Sequence, residues 1–430
     1  MGCAGRFHAY RCFPMAAAPR TSATAAPLRV LTAVPLCDGH DSAVTTINLE
    51  FARHGCEVIY LGYHQSATAI ARAAVQEDVH VVGLSSYNGG HLVFFQEVVA
   101  RLRAGGNGDI PVFGGGGGTI TAADARVMRR QGTDRIYFAG TPLDAMMAEI
   151  KRDFGRPLKA DSRLRGDRAL ARAITLAEAQ FSGGTRPPGA SKKRASRTPR
   201  ANPGKSFVVG IAGPGGAGKS TLIDELTSRF LRRGPGGRIA VLANDPSHPG
   251  SGGAILGDRV SAIYAQDDRV FFRSLATRGH LTGISAAAPA AIEILRASGE
   301  FDLILVESVG VGQESDPFGT FRPGGRLTDA VLFVLPPHYG GLIQLQKIAL
   351  LTGADLVALN KCDHPMAHTA RAEIQARLDR NGHGQQLHAT IAARHFDAGV
   401  DRLFDAIADL GGLATSRGGE KPCSMKEVER

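Results

Sequence analysis

Apolar residues in the first third of the chain alternate between short runs and helix-spaced stripes. The short apolar runs predict strands at 28–34, 57–61, 79–84, 110–113 and 135–138. The segments between the runs place apolar residues at helical spacing, which predicts helices at 44–54, 67–77, 92–103 and 122–131. Buried strands that alternate with helices are typical of a doubly wound parallel sheet, whose ligands bind beyond the carboxyl ends of the strands.

The same alternation returns in a second block of the chain. Its apolar runs predict strands at 207–212, 238–244, 270–272, 302–307, 330–335 and 356–360. We therefore predict an α/β fold with two doubly wound sheets, the first of them flavodoxin-like. The predicted divisions are a disordered leader at 1–27, a first domain at 28–150, a linker at 151–205, a second domain at 206–412 and a disordered tail at 413–430.

The predicted linker joins one helical segment to a strongly basic stretch. No acidic residue occurs between Glu178 and Asp224, so part of the net charge of +10 is local. The basic residues of this stretch are Arg186, Lys192, Lys193, Arg194, Arg197, Arg200 and Lys205. Proline and glycine without interleaved aromatic residues favour a solvated linker. Nucleic-acid binding is therefore not expected, and it stays an alternative for this stretch.

Composition excludes some classes of protein. Hydrophobic residues make up 43% of the 430 positions, which is enough to build cores. No apolar run reaches the roughly 18 residues that a membrane helix requires. The six cysteines lack paired metal-ligand spacing, and no apolar secretion signal precedes them, so we expect reduced thiols and a cytoplasmic location. The acid-free leader has features of a transit peptide, but a disordered start is the favoured interpretation.

A complete phosphate-binding motif follows the first predicted strand of the second block. Residues 213–220 are Gly-Pro-Gly-Gly-Ala-Gly-Lys-Ser, with every fixed position of the P-loop pattern present between a strand and a helix. Backbone N–H groups of such a loop surround phosphate oxygens, while Lys219 reaches the β and γ phosphates and Ser220 ligates magnesium. The residues expected to bind the triphosphate are Gly213, Gly215, Gly216, Ala217, Gly218, Lys219, Ser220 and Thr221.

A four-residue motif at another strand end predicts which base is bound. Asn360, Lys361, Cys362 and Asp363 end the strand predicted at 356–360. The carboxylate of Asp363 can accept hydrogen bonds from both N1 and N2 of guanine, and adenine offers no such pair of donors. We assign Asn360, Lys361 and Asp363 to the guanine base, so GTP is the expected substrate.

Two carboxylates predict a metal beside the phosphates. Asp245 and Glu307 follow or end strands of the second block, at the edge where a doubly wound sheet binds its ligands. Magnesium prefers hard oxygen ligands, often through water. The alternative for each carboxylate is a helix cap or a solvated turn. We take Lys219 and Glu307 as the candidate catalytic residues, because both are expected beside the transferred phosphate.

Three features at the carboxyl edge of the first predicted sheet favour a large cofactor there. His40 follows the first strand, and Asp38 two residues earlier can orient its ring for metal binding, although an ordinary turn histidine is the alternative. Ser85 opens a polar segment after the third strand. Five consecutive glycines at 114–118 follow the fourth strand and remove side chains where a bulky group approaches the backbone.

Taken together, these residues resemble the fused isobutyryl-CoA mutase family. The resemblance implies that the first block binds adenosylcobalamin, since Asp38 and His40 match a D-x-H-x-x-G signature in which Ala43 replaces the glycine. It further implies that His40 is the lower axial cobalt ligand and that Asp38 is its hydrogen-bond partner. By the same resemblance, Ser85, Gly117 and Gly118 lie beside the nucleotide tail of the cofactor.

The second block resembles the GTPase domain of that family, a P-loop chaperone domain similar to the methylmalonyl-CoA mutase chaperone. The matching stretches are 244–247, 252–259, 273–278 and 306–313. The resemblance implies that Asp245, Asp258 and Glu307 are magnesium or switch ligands and that Gln313 opens a switch loop. Residues 314–328 depart from the family pattern, because they are long and rich in glycine and proline.

The resemblance also sets the expected function and partner. In that family a mutase barrel follows the GTPase domain, and no such segment follows residue 410, so we do not expect this chain alone to isomerise an acyl-CoA. We expect a cobalamin-binding GTPase that serves an acyl-CoA mutase barrel and forms a homodimer. The alternatives are a cobalamin-binding sensor that does not hydrolyse GTP, a metallochaperone GTPase for nickel or zinc, and a nucleic-acid-linked regulator.

Overall fold

Two parallel sheets organise the chain. The computed structural model describes residues 27–35, 42–181, 206–233, 236–248, 250–280, 282–310, 316–320, 325–338, 349–382 and 384–415. One sheet has six strands and the other seven, and each has hydrophobic clusters packed on its two faces. The predicted α/β class with two doubly wound sheets is confirmed.

The first sheet is built mainly from the first block of the chain. Its first five strands are β1 (Arg29–Ala33), β2 (Glu57–Tyr60), β3 (Val81–Ser85), β4 (Val112–Gly115) and β5 (Arg135–Tyr137). The helices that accompany them are α1 (Ser42–Arg53), α2 (Ala67–Gln76), α3 (His91–Ala104), α4 (Ala122–Gln131) and α5 (Leu143–Phe154). These strands run parallel in the spatial order β5-β4-β3-β1-β2, so their carboxyl ends share one edge.

The rest of the described chain forms the second sheet and contributes one strand to the first sheet. Its helices are α6 (Gly166–Gln180), α7 (Lys219–Arg233), α8 (Ala288–Ser298), α9 (Ala349–Gly353), α10 (Ala367–Asn381) and α11 (Ala398–Gly411). Its strands are β6 (Phe207–Ala212), β7 (Arg238–Asp245), β8 (Ala254–Leu256), β9 (Val270–Ala276), β10 (Phe301–Glu307), β11 (Ala330–Leu335), β12 (Leu356–Leu359) and β13 (Gln386–Ala389). The second sheet has the order β13-β12-β11-β6-β10-β7-β9, whereas β8 pairs with β2 and completes the first sheet.

Local sequence explains why these elements form. All six residues of β11 are buried, as expected for a parallel strand covered on both faces, where a continuous apolar run is required. Helix α4 begins with a reciprocal capping box between Thr121 and Asp124, and it ends at Gly132, whose φ of +110° favours glycine. Within the described part of the chain, no helix combines the length and apolar character needed to cross a bilayer.

Several elements were not predicted from the sequence pattern, among them the helices α8 to α11, and three others show why. Helix α5 has buried Met146, Met147 and Ile150 at helical spacing, and this signal was missed. Strand β13 is a four-residue edge strand that is only partly buried, so it lacks a clear apolar run. Strand β8 has three residues and its partner is in the other block, so its pairing depends on tertiary structure.

Candidate nucleotide and cofactor sites

The phosphate-binding loop lies at the carboxyl end of β6, the central strand of the second sheet. Helix α7 begins at Lys219 directly after the loop, so its N-terminal N–H groups and dipole face the place where an anion would bind. Gly218 has a φ of +87°, and a Cβ atom there would lie 2.5 Å from Nδ2 of Asn360. The loop therefore requires glycine at this position for both backbone conformation and space.

The two polar side chains at the start of α7 both have defined partners. The buried ammonium of Lys219 donates to the carbonyl oxygens of Gly213 at 3.1 Å and Pro214 at 3.2 Å. Ser220 Oγ donates to Glu307 Oε1 at 2.8 Å. Burial lowers the pKa of Lys219, and the negative charge of Glu307 opposes this shift. The structure thus places the two candidate catalytic residues, Lys219 and Glu307, at one site.

Two buried carboxyl groups, Asp245 and Glu307, and the partly buried Asp258 surround this site. Burial raises the pKa of Glu307 to about 8, and the charge of Asp258 adds to the shift. Burial also raises the pKa values of Asp258 and Asp245, and for Asp245 the charges of the other two add to the effect. Among the described residues, Asp245 Oδ2 has no hydrogen-bond partner although it is buried. Such a set of mutually repelling oxygen ligands, together with the Ser220 hydroxyl, fits a hard divalent cation such as Mg²⁺.

The base-recognition segment is joined directly to the phosphate-binding loop. The buried side chain of Asn360 donates through Nδ2 to the carbonyl oxygen of Ala217 at 3.0 Å. Lys361 and Asp363 are exposed in the loop that follows β12, and Lys361 adopts a φ of +61°. These residues therefore lie at the same sheet edge as the phosphate-binding loop, where a base attached to a bound triphosphate would lie.

Two residues that support this segment were not predicted. The backbone N–H of Ala392 donates to Asn360 Oδ1 at 3.0 Å, and Thr390 Oγ1 donates to the same atom at 3.2 Å. Both residues follow β13, the strand next to β12. The sequence signal that could have identified them was the strand end itself, but β13 was not predicted.

Asp224, on the second turn of α7, is a further buried carboxyl group that the sequence did not identify. It accepts a hydrogen bond from the backbone N–H of Tyr264 at 3.0 Å, and its pKa is raised by burial to about 6. Tyr264 belongs to the short 3₁₀ turn Ile263–Gln266. Asp224 thereby fixes this turn beside a small cavity that Ser220, Asp258 and Glu307 also line.

A second candidate site lies at the carboxyl edge of the first sheet. A partly open cavity of about 150 Å³ lies there between α1, α5 and the strand ends. Its wall is largely apolar and aromatic and includes Val44, Ile47, Phe113, Tyr137 and Met146. A flat, mostly apolar ring system fits such a slot better than a charged group does.

The glycine run forms the floor of this cavity. Ser85 and Gly117 line it, and Gly118 follows with a φ of +96°. A Cβ atom on Gly116 would lie 1.9 Å from the carbonyl oxygen of Ser86, and one on Gly117 would lie 2.7 Å from the ring of Tyr87. The run can therefore pack against Ser86 and Tyr87 only because these positions lack side chains.

Some of the predicted ligands lie outside the described residues. Asp38 and His40 belong to the segment 36–41, and Gln313 belongs to the segment 311–315. The described chain flanks the first segment on both sides, with Pro35 bridged to Gln65 at the sheet edge and α1 beginning at Ser42. Ala43, the substituted position of the cobalamin signature, lines the cavity. The roles assigned to Asp38, His40 and Gln313 therefore stay predictions.

Comparison with known proteins gives two family matches. Residues 170–427 match the family model described as methylmalonyl-CoA mutase-associated GTPase MeaB, and residues 28–144 match the model of the B12 binding domain. The first match includes the phosphate-binding loop, the carboxylate cluster and the guanine motif. The second match includes the glycine run and most of the residues that line the cavity above it.

Curated relatives match the chain over most of its length or over one block. The fused isobutyryl-CoA mutase of Cupriavidus metallidurans is 37% identical over 421 residues, which cover 94% of this chain and 37% of that protein. The corresponding protein of Geobacillus kaustophilus is 35% identical over 402 residues, covering 89% and 36%. A putative GTPase of Pyrococcus abyssi is 36% identical over 235 residues, covering 53% of this chain and 69% of that protein. The chain thus spans little more than a third of the length of either mutase.

Proposed function

This chain belongs to the MeaB family of mutase-associated GTPases and carries a B12-binding domain before the GTPase domain, and from that premise we propose that it hydrolyses GTP with Mg²⁺ and uses the reaction to gate cobalamin loading onto an acyl-CoA mutase. The observation that supports hydrolysis most strongly is the grouping of buried Lys219 and Glu307 with partly buried Ser220 at the phosphate-binding loop. The carboxylates around it would hold a magnesium ion, which would neutralise negative charge on the phosphates.

The residues present support a hydrolytic step as follows. Water attacks the γ-phosphorus, the bond to the β–γ bridging oxygen breaks, and GDP and inorganic phosphate leave. The ammonium of Lys219 and the N–H groups at the start of α7 stabilise the negative charge that develops on the phosphate oxygens. A bound Mg²⁺ would supply further charge neutralisation, with Ser220 and the carboxylates of Asp245, Asp258 and Glu307 as its ligands.

The cavity of the first sheet supports the cobalamin half of the proposal. Its apolar walls and glycine floor would accept the flat base of the nucleotide tail of adenosylcobalamin, with Ser85, Gly117 and Gly118 beside it. His40 would supply the cobalt ligand, and Asp38 would be its hydrogen-bond partner. When bound, adenosylcobalamin supplies a weak cobalt–carbon bond that mutases use for radical chemistry.

The partner in this proposal is an acyl-CoA mutase barrel. The chain is similar over most of its length to two fused isobutyryl-CoA mutases, and it covers only about 36–37% of each. We propose that the remaining portion of such an enzyme, in the same or a separate chain, receives the cofactor. The substrate would then be an acyl-CoA of the isobutyryl type.

A GTPase assay with a matched variant tests the first half of the proposal. We expect phosphate release from GTP by the wild-type chain in Mg²⁺, and a loss of roughly a hundredfold or more in Lys219→Ala, because the lysine charge acts on the transferred phosphate. Lys159→Ala, in the segment before α6, is the control for loss of one lysine. Equal rates for wild type and Lys219→Ala would contradict hydrolysis at this site.

A cobalamin titration tests the second half. Adenosylcobalamin bound with a histidine in place of its own base changes its visible spectrum, so the wild-type chain should produce that change and His40→Ala should not. Tight cobalamin binding without GTP hydrolysis would favour the alternative function of a cobalamin sensor. The absence of any spectral change with the wild-type chain would contradict the cobalamin half of the proposal.

A further inference from the structure

Strand β8 connects the GTPase segment of the chain to the first sheet. It lies between β7 and β9 in sequence, yet it pairs in parallel with β2, with Ala254 opposite Glu57 and Leu256 opposite Ile59. The backbone N–H of Ala254 donates to the carbonyl oxygen of Cys56 at 3.0 Å. The segment that leads from β7 toward the nucleotide site is therefore fixed to the backbone of the B12-binding domain.

Asp258 follows this strand after a single glycine. It begins the 3₁₀ turn Asp258–Ser261 and lines the small cavity that Ser220 and Glu307 share. Its negative charge also acts to raise the pKa values of Asp245 and Lys219. A carboxylate of the nucleotide site is thus placed by a strand that belongs to the other sheet.

The next residue, Arg259, ties the same turn to α2 of the B12-binding domain. Its guanidinium is buried and donates to Gln76 Oε1 at 2.7 Å and to the carbonyl oxygen of Phe272 at 2.9 Å. It also forms an ion pair with Glu77 Oε1 at 3.3 Å. Because the planar guanidinium has acceptors on two domains, its orientation is strongly restricted.

The acceptors of Arg259 are themselves held in a buried ion cluster. Glu77 pairs with Arg29 Nη2 at 3.0 Å and accepts from the backbone N–H of Ser274 at 3.0 Å. Arg29 also pairs with Glu57 at 2.7 Å, and Glu57 is the first residue of β2. Removing one member of such a cluster leaves buried charge without a partner, so displacing a single group from the cluster is strongly unfavourable.

From these contacts we propose that Arg259 is a positioning residue for Asp258, and that Gln76 and Glu77 of the B12-binding domain hold Arg259 in place. The B12-binding domain is then part of the frame of the magnesium-dependent GTPase site. This inference rests on the proposed function, because it concerns how the same site is assembled.

The Mg²⁺ dependence of GTP hydrolysis by the full chain tests this inference. We expect Arg259→Gln to raise the Mg²⁺ concentration for half-maximal hydrolysis by roughly 10- to 100-fold, the range found when groups that orient metal ligands are changed. The KM for GTP at saturating Mg²⁺ should change by no more than about twofold, since Arg259 is not placed to touch the nucleotide. Arg259→Lys should recover part of the loss, because lysine keeps the charge but not the fork of donors.

A substitution in the other domain separates positioning from a purely local effect. Gln76→Met removes the acceptor on α2, together with the Nε2 donor that bonds Asp167 and the carbonyl oxygen of Val270. We expect it to shift the Mg²⁺ dependence in the same direction as Arg259→Gln. The double variant should be no worse than the more affected single variant, since both changes break one chain of contacts. Arg168→Gln is the matched control. Arg168 of α6 pairs with Asp109 of the B12-binding domain at 2.6 Å, and this ion pair does not involve Arg259.

The possible results distinguish failure of this inference from failure of the proposed function. A folded Arg259→Gln protein with the wild-type Mg²⁺ dependence would overturn the inference, as would fully additive effects in the double variant. Thermal unfolding shows whether Arg259→Gln is folded. If it is not, Gln76→Met and Arg259→Lys provide the same test. If the wild-type chain binds GTP but does not hydrolyse it, the proposed function fails, and the Mg²⁺ dependence of binding a non-hydrolysable GTP analogue decides the inference instead.

Discussion

Ser220 Oγ donates to Glu307 Oε1 at 2.8 Å, which joins the first turn of α7 to the carboxyl end of β10. Helix α7 starts at the phosphate-binding loop, and β10 is the neighbour of β6 in the sheet. One hydrogen bond therefore connects the hydroxyl and the carboxylate that would share a magnesium ion. Burial raises the pKa of Glu307 to about 8, so its carboxyl group is mostly protonated at neutral pH when no cation is bound. Binding of a cation is therefore expected to release this proton.

Glu307→Gln should reduce Mg²⁺-dependent GTP hydrolysis by roughly 10- to 100-fold. Glutamine keeps the size of the side chain and an acceptor for Ser220, but it removes the negative charge that a cation would bind. Rates of phosphate release measured against Mg²⁺ concentration check this expectation. Glu300→Gln is the control, since Glu300 precedes the amino end of β10 and pairs with Arg238 at the opposite edge of the sheet. Unchanged rates in Glu307→Gln would exclude this carboxylate from the metal site.

The same substitution should make the metal-free protein more stable at pH 8. A carboxyl whose pKa rises from about 4.5 to about 8 on folding destabilises the folded state once the pH exceeds the unfolded value. Glutamine carries no charge and removes this cost. Thermal unfolding at pH 8 without Mg²⁺ should therefore show a higher midpoint for Glu307→Gln than for wild type, whereas a lower midpoint would show that the carboxylate stabilises the free protein.

Asp363→Asn should change which nucleotide is bound. The carboxylate of Asp363 can accept two hydrogen bonds from guanine, and hydrogen bonds to charged groups contribute about 1.5–3 kcal/mol each. We expect GTP affinity to fall by roughly tenfold or more. Affinity for XTP should rise, because the asparagine amide can donate to the carbonyl oxygen that xanthine has in place of the guanine amino group. Calorimetry with both nucleotides checks this.

Asp379→Asn on α10 is the control for this substitution, since Asp379 is exposed and bonds to Gln375 on the same helix. It should leave both affinities unchanged. Should Asp363→Asn bind GTP as tightly as wild type, the base must be recognised elsewhere. Loss of both GTP and XTP binding would indicate that the loop after β12 had been disrupted.

The sequence predicted the two sheets and the phosphate-binding loop because local patterns are sufficient for them. Strands such as β6 and β11 are nearly continuous apolar runs, and the loop at 213–220 is a contiguous motif. The meeting of Ser220 with Glu307 also follows from the order of elements, since both lie at the carboxyl edge of one parallel sheet. The chemical roles assigned to these residues stay predictions.

The contacts between the two domains could not be predicted in this way. Arg29, Glu77 and Arg259 are charged and almost fully buried, whereas charged residues in a sequence pattern are normally assigned to the surface. Their burial is tolerated only because partners far away in the chain come together in the folded protein. Strand β8 was missed for a related reason, since three residues in a glycine-rich segment have no periodicity of their own.

Ile47→Trp should weaken cobalamin binding. Ile47 lines the apolar cavity at the carboxyl edge of the first sheet and is only partly buried, so the fold can accept a larger side chain there. Extra volume in a packed site costs about 1–3 kcal/mol, which corresponds to roughly 5- to 150-fold weaker binding. An absorbance titration with adenosylcobalamin measures the change. Val93→Trp, at an exposed position of α3, is the control, and equal affinities in the two variants would place the cofactor tail elsewhere.

His80 should make the stability of the protein depend on pH. The ring is buried just before β3, where Nδ1 accepts a hydrogen bond from the backbone N–H of Arg29 at 3.0 Å, so the neutral form is required. Burial lowers the pKa of His80 to about 4 from an unfolded value of 6.5. Stability is therefore complete above pH 6.5 and falls as the pH decreases from there toward 4, because the unfolded chain binds the proton more tightly.

The contribution of this histidine can be isolated with a variant. Between pH 7 and pH 5, His80 should account for about 2 kcal/mol of the loss in unfolding free energy. His80→Asn keeps an acceptor near Arg29 but does not titrate, so its stability should fall less over this range in denaturant titrations. His368→Asn, at an exposed position of α10, should retain the wild-type dependence on pH. If His80→Asn and wild type lose stability equally between pH 7 and pH 5, the His80 ring is not held neutral by burial, and another group must produce the acid sensitivity.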